Sequence, residues 1–210
     1  SVITIGNNTF QSCQSLKFDM ISLPNLESVG DHAFDDSYIT NFNFAESTRL
    51  NCIGLSAFGY TDLEHGDLHN ANQLTELNDN CFIFCDNLVS VKLPKELEII
   101  NNGIFGGCTN LTAIEFPSSL KSIGEHSFSY CTSLTTLILP ISIDTIGYDA
   151  FTGCTPLSLY CEPTSRPSGW NSTFAGDALA YWYKESEPQG ASMYWHYVNE
   201  EEGNQVPQKW

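Results

Sequence analysis

Seven phenylalanines recur along the chain, at three intervals of 24 residues followed by three intervals of 23. They are Phe10, Phe34, Phe58, Phe82, Phe105, Phe128 and Phe151. A period in this range is typical of solenoids, in which each repeat buries its apolar face against its neighbours. The period therefore predicts an array of stacked units without a single globular core, and it places function on a surface rather than in a closed pocket.

Other columns of residues keep the same register. An aliphatic residue lies five positions before each Phe and is followed by Gly or Asn, as Ile123 and Gly124 are before Phe128. Gly and Asn tolerate a left-handed backbone, so this column predicts the same tight turn in every unit. One column contains a gap, because Gly66 stands where the neighbouring units carry Phe42 and Val91. We expect the large Phe42 ring to fill the space that Gly66 leaves.

Residues 118–140, SSLKSIGEHSFSYCTSLTTLILP, resemble the BspA-like (Treponema-type) class of leucine-rich repeats, which occurs in bacterial and some protist surface proteins. The resemblance covers residues 1–163. It implies an α/β-type leucine-rich-repeat solenoid, right-handed, with mostly short parallel β-strands, tight turns and short helical turns. It also implies a cell-surface or secreted protein that binds a partner. Ser1 lies inside a repeat, nine residues before Phe10, so we expect the chain to be part of a longer protein.

The repeats predict two regions. Residues 1–163 form an array of about seven units, and residues 164–210 form an aromatic-rich capping segment. Within it, residues 181–184 and 193–198 are predicted to pair as a β-hairpin around a turn at 185–192 and to cover the last repeat. The same aromatic side chains could instead stack on sugar rings, so a glycan ligand stays open.

Charge excludes some partners. The net charge is -17, from 25 acidic and 8 basic residues, and such a chain cannot supply a phosphate-binding surface for nucleic acid. No stretch approaches the length of a membrane span, so we expect no direct membrane insertion.

Cysteines form one of the repeat columns. Cys85, Cys108, Cys131 and Cys154 each follow a repeat Phe by three residues, which predicts a ladder of buried free thiols. Cys161 falls outside this column and is predicted to be exposed. The cysteine spacing matches no zinc site, and we expect no metal.

The candidate ligand-binding surface is the side of the strands that points away from the core, which a solenoid presents as a concave face. Its polar members are Thr40, Asn41, Asn43, Glu64, His65, Asp67, Ser90, Lys92, Thr112, Glu115 and Thr136. In the last unit, Ser158, Leu159 and Cys161 are assigned to the same outward positions. The same composition also fits a solvated sheet that binds nothing. His65 and Asp67 project from one strand side and could anchor a sugar or a cation.

No motif for a nucleophile, a phosphate loop or a metal-dependent hydrolase is present, so we expect neither an enzyme nor a cofactor. The sequence favours a non-enzymatic adhesion or recognition module that binds a protein partner, with host extracellular-matrix proteins as the class that the resemblance suggests. A structural spacer in a longer surface protein and a carbohydrate-binding module are the alternatives.

Overall fold

A computed structural model describes residues 2–15, 21–186, 188, 193–199 and 205–209. These ranges contain short β-strands joined by turns, and no helix. The strands are β1 (Thr4–Ile5), β2 (Ile21–Ser22), β3 (Ser28–Val29), β4 (Asn41–Asn43), β5 (Cys52–Ile53), β6 (His65–Asp67), β7 (Glu76–Leu77), β8 (Ser90–Lys92), β9 (Ile99–Ile100), β10 (Ser122–Ile123), β11 (Thr136–Leu139), β12 (Thr145–Ile146), β13 (Ser158–Cys161), β14 (Leu179–Tyr183), β15 (Tyr194–Asn199) and β16 (Gln205–Lys209).

Each repeat is one rung of the solenoid and adds a short strand to one or both of two parallel ladders. The first ladder consists of β1, β3 and β5, followed by β7, β9, β10 and β12. The second consists of β2, β4, β6 and β8, followed by β11, β13, β14 and β15. The predicted solenoid of short parallel strands is therefore confirmed.

The phenylalanine column forms the core between the two ladders. Ring centroids of consecutive members from Phe10 to Phe151 lie 5.1–5.5 Å apart, and every pair is stacked. All members from Phe34 onward are fully buried. This continuous stack explains the strict spacing, because a ring that shifts along the chain loses both of its neighbours.

The predicted short helical turns are absent from the described residues, and successive tight turns occupy their place. In the rung of Phe82, the Cys81 and Ile83 N–H groups bond to carbonyls three residues back, at 3.3 and 3.0 Å. The intervening N–H of Phe82 bonds across to the Ile104 carbonyl of the next rung, at 3.0 Å. Because alternate N–H groups are used between rungs, a continuous helical ladder of bonds cannot form.

The left-handed positions also differ from the prediction. The backbone is left-handed two and six residues after the Gly/Asn column, as at Asn80 (φ 59°) and Phe84 (φ 52°), and not at the column itself. The column glycines are needed for a different reason. A Cβ on Gly124 would lie 2.6 Å from the Asn101 carbonyl carbon of the preceding rung. Glycine therefore permits the close approach of neighbouring backbones.

The cysteine ladder is confirmed, and its thiols have a structural role. Cys85, Cys108, Cys131 and Cys154 are buried and free, and each thiol donates to the carbonyl of the Phe in the preceding rung, at 2.8–3.2 Å. In the irregular third unit, the Thr61 hydroxyl lies 2.8 Å from the Phe58 carbonyl. The column therefore caps a buried carbonyl in these rungs.

The predicted exposure of Cys161 is wrong. In the last unit the strand begins one residue earlier than the repeat spacing predicts. Leu137 pairs with Leu159, and Leu139 pairs with Cys161. Leu159 and Cys161 consequently point inward and are fully buried. Tyr160 takes the outward position instead and stacks on Tyr181 at 5.7 Å.

The ladders continue past residue 163, where the predicted array ends. Phe174 lies 23 residues after Phe151 and accepts its N–H at 3.1 Å, while Trp170 bridges to Ile146 of the first ladder. Strand β14 then pairs in parallel with β13. Residues 168–183 thus form a further rung, and Trp170 and Phe174 belong to the main core.

The predicted pairing of the C-terminal hairpin is wrong. β14 and β15, which were predicted to pair antiparallel, pair in parallel, and β15 pairs antiparallel with β16. A parallel pair needs a crossover rather than a tight hairpin turn. Residues 187 and 189–192 of the predicted turn lie outside the described residues.

Candidate binding face

Three strands of the second ladder present their outward side chains in register. Asn41 lies opposite His65, which lies opposite Ser90. Asn43 lies opposite Asp67, which lies opposite Lys92. We call these six side chains of β4, β6 and β8 the strand face. The structure thus brings together the central part of the candidate surface in two parallel rows.

Asp67 is the centre of the strand face. Its Oδ1 accepts hydrogen bonds from His69 Nδ1 at 2.6 Å and from the His69 backbone N–H at 3.1 Å. Its Oδ2 lies 3.2 Å from Lys92 Nζ. Burial alone would raise the pKa of Asp67, but these hydrogen bonds outweigh burial and lower the pKa. Asp67 is therefore a carboxylate at neutral pH, and its partners hold it in a defined position.

The remaining members of the strand face are ordered to different degrees. His65 Nδ1 and Ser90 Oγ lie 3.0 Å apart in a hydrogen bond between rungs. Asn43 Oδ1 accepts the Ala45 N–H at 3.0 Å, and Asn41 Nδ2 donates to Thr40 Oγ1 at 3.2 Å. Lys92 keeps 70% of its side chain exposed. The face therefore combines hydrogen-bonded acceptors with an exposed cation that is paired to Asp67, which suits recognition of a polar partner.

The other predicted site residues lie at the margins of this face. Glu64, Thr112, Glu115 and Thr136 are exposed. The Thr112 hydroxyl contacts the Val89 carbonyl at 3.4 Å, so it is partly used by the fold. Thr136 begins β11. Between β8 and β11 lies one rung that contributes no strand to the second ladder.

That rung marks an interruption of the second ladder. Beyond a single bridge between Ser90 and Ala113, residues 114–116 pair with neither β8 nor β11. A cleft of about 460 Å³ opens there, between residues 90–95 and 113–117, with His69 at one end. The conspicuous sequence signal for it is Phe116, an aromatic residue in a column that carries Leu93 and Leu139 in the adjacent rungs. Sequence reasoning did not use that signal.

Toward the C-terminus the outward side of the sheet is covered. Tyr160, Tyr181 and Trp195 form a second buried cluster there, against Ile138, Tyr183 and Tyr197. The Trp195 indole donates to the Cys161 carbonyl at 3.0 Å, and the Tyr197 hydroxyl donates to Glu162 at 2.6 Å. The buried rings of Tyr160, Tyr181 and Trp195 therefore pack within the fold, whereas Tyr183 and Tyr197 are partly exposed.

The predicted anchoring of a cation at His65 and Asp67 depends on how many ligand side chains lie together. In the described part of the chain, no three His, Cys, Asp or Glu side chains come together as metal ligands would. Both oxygens of Asp67 are already engaged by His69 and Lys92. The face is thus organised by hydrogen bonds and one ion pair.

Comparison with known proteins shows the family. Residues 1–76 and 75–179 match the model of the BspA type leucine rich repeat region, in six copies. The chain belongs to this family of leucine-rich-repeat proteins. No curated protein matches it significantly.

The chain is similar to solved structures of other leucine-rich repeat proteins. A leucine-rich repeat protein from Bacteroides ovatus ATCC 8483 is 30% identical, with a TM-score of 0.74 over 87% of this chain and 47% of that one. The T. pallidum leucine rich repeat protein is 24% identical, with a TM-score of 0.42 over 76% of this chain and 52% of that one. A leucine rich cell surface protein from Faecalibacterium prausnitzii A2-165 is 23% identical, with a TM-score of 0.49 over 84% and 56%.

The chain thus spans about half the length of these proteins.

Among the residues that the structure describes, no helix is long and apolar enough to cross a membrane.

Proposed function

We propose that this chain is a non-enzymatic recognition module, displayed at the cell surface or secreted, that binds a protein partner through the strand face. The observation that carries the proposal is the in-register pair of polar rows on β4, β6 and β8. Extended repeat sheets of this kind are common protein-binding surfaces. The partner class is a host extracellular-matrix protein, and the location is the surface or the extracellular space; both are carried over from the family resemblance.

Electrostatics supports a partner with its own polar and charged groups. Asp67 and Lys92 present both signs of charge within 3.2 Å, and His65 and the two asparagines add donors and acceptors. A partner that matches this pattern gains specificity mainly by pairing each group, since an unpaired polar group at the interface is costly. The acidic surroundings of a chain with net charge -17 favour a partner whose contact surface is basic around this centre.

The test is binding of the full chain to a panel of immobilised extracellular-matrix proteins and to a glycan array. The triple variant Asn43→Ala, His65→Ala, Lys92→Ala removes one amide, one imidazole and one ammonium from the strand face. A matched control, Asn72→Ala, His126→Ala, Lys121→Ala, removes the same three groups elsewhere. Selective loss in the first variant supports the proposal. Equal binding by both variants would place the contact elsewhere, and no binding to any protein would favour a spacer.

A further inference from the structure

The cleft beside β8 has walls from two rungs that separate. Val91, Leu93 and Ile114 line it and are at least 92% buried, so its floor is apolar. Phe116 and Pro117 form the opposite wall and are half-buried. A volume of about 460 Å³ lies within the range of small-ligand pockets, roughly 300–1,000 Å³. The cleft can therefore accept at least one bulky apolar side chain.

Phe116 lies at the interruption of the second ladder. Phe116 stands between Leu93 and Leu139, and no neighbouring glycine makes room for its ring. The ring packs edge-on against Phe128, with centroids 5.6 Å apart and planes at 69°. In the adjacent column, Gly66 makes room for the Phe42 ring, and β4 pairs with β6 along its full length. Phe116 therefore forms an aromatic wall at the place where the second ladder is interrupted.

The mouth of the cleft carries positive charge that the fold does not use. Among the basic residues in the described ranges, Lys95 alone has a side chain without an ion pair, hydrogen bond or ring contact. Its backbone is held in place, since the Ser119 hydroxyl lies 2.7 Å from the carbonyl oxygens of both Lys95 and Leu97. Lys92 lies on the same side, and Glu115 is the one acid in the lining.

We infer that this cleft is a binding site for an extended peptide segment that places a bulky apolar side chain between the rungs and an adjacent carboxylate against Lys95. The inference rests on the proposed function and deepens it. The cleft adjoins the strand face, and its lining indicates the chemistry of one part of the partner. A lysine without an internal partner, in a chain of net charge -17, is the group that an acidic ligand would pair with. The apolar floor supplies the anchor.

The experiment selects ligands from random dodecapeptides displayed on phage, with the immobilised full chain as target. Selected peptides are then synthesised and titrated by fluorescence polarisation. The variants are Lys95→Gln, which removes the charge, and Phe116→Leu, which replaces the aromatic ring of the cleft wall with the smaller residue of its column. Lys121→Gln is the matched control, because Lys121 pairs with Glu98 at 2.9 Å outside the cleft. His65→Ala reports on the strand face.

The expected peptides carry a large apolar residue beside Asp or Glu. We expect Lys95→Gln to weaken their binding about fivefold and Phe116→Leu to weaken it about tenfold or more, with no change in Lys121→Gln. Peptides without an acid, binding that survives Phe116→Leu, or a selection that yields no peptide would each overturn the cleft site. Peptides that ignore Phe116→Leu but are lost in His65→Ala would overturn the cleft and leave the strand face standing.

Discussion

Gly66 and Phe42 provide the sharpest test of how the rungs pack. A Cβ at position 66 would lie 2.5 Å from Phe42 Cζ and 2.8 Å from Cε1, well inside contact distance. The Phe42 ring cannot move away, because it is 2% exposed and stacks 4.8 Å from Phe58 and 4.9 Å from Phe44. Gly66→Val should therefore cost about 2–3 kcal/mol of unfolding free energy, the upper part of the range for overpacked cores.

A variant of Phe42, the residue that faces Gly66, tests whether the cost depends on this pair. Phe42→Val alone removes a buried ring beside a glycine and should cost about 3 kcal/mol, because a cavity remains. In the double variant, valines at positions 42 and 66 continue the column of Val91, and each fills the space that the other requires. We expect the double variant to lose about 2 kcal/mol less than the sum of the single losses, a coupling typical of residues in direct contact.

The assay is urea unfolding of the four proteins, followed by far-ultraviolet circular dichroism. The m-value must stay constant across the series, because a repeat array can unfold in parts when a middle rung is weakened. Losses that add within about 0.5 kcal/mol would contradict the size complementarity of Phe42 and Gly66.

Three further predictions follow from buried and paired groups. Within the described residues the buried Ser37 hydroxyl has no hydrogen-bond partner, so Ser37→Cys should raise the unfolding free energy by about 1 kcal/mol, and a lower urea midpoint would contradict this. The lowered pKa of Asp67 means that its stabilising contribution is present above the unfolded pKa of about 4 and is lost as pH falls through the folded value. Asp67→Asn should therefore flatten the acid limb of a stability–pH profile, and an unchanged profile would count against the pairing. Cys52 is exposed, whereas Cys161 is fully buried. Burial raises the pKa of both thiols, and it raises that of Cys161 more strongly. Iodoacetamide should therefore modify Cys52 well before Cys161, as followed by mass spectrometry. Equal rates would contradict the inward register of the last rung.

Much of the fold could be predicted from periodicity. The Phe column, the buried cysteines and the Phe42–Gly66 complementarity all depend on residue identity at a fixed spacing, and each is confirmed. Two predictions about the turns are wrong for one reason: they assumed that glycine and asparagine mark the left-handed positions of the backbone. Glycine at position 124 serves a close approach of rungs rather than a left-handed turn, and Phe84 accepts the left-handed backbone that glycine was expected to take.

The error at Cys161 arises where the strand register changes relative to the repeat. Leu157 keeps the spacing of the repeat, but the strand after it is one residue closer, and the periodic frame placed Leu159 and Cys161 on the wrong side. A shift of one residue in a strand reverses every side chain, so no local property of Cys161 could reveal the change. Phe174, by contrast, lies at the regular interval of 23 residues and could have extended the predicted array.

The candidate site was predictable in outline only. The outward positions of β4, β6 and β8 follow from strand alternation. The hydrogen bond between His65 and Ser90 and the engagement of Asp67 by His69 depend on side-chain conformations that spacing does not determine. The cleft depends on where the pairing of the second ladder is interrupted and is visible only in three dimensions.

The central claim is that the strand face is the contact surface for a protein partner. Hydrogen–deuterium exchange of the full chain, with and without a bound extracellular-matrix protein from the binding panel, tests it most directly. We predict that added protection is concentrated in peptides covering residues 41–43, 65–69 and 90–95, with little change in the tight turns around Phe82 and Phe105. Protection confined to those turns or to residues 179–199 would contradict the claim.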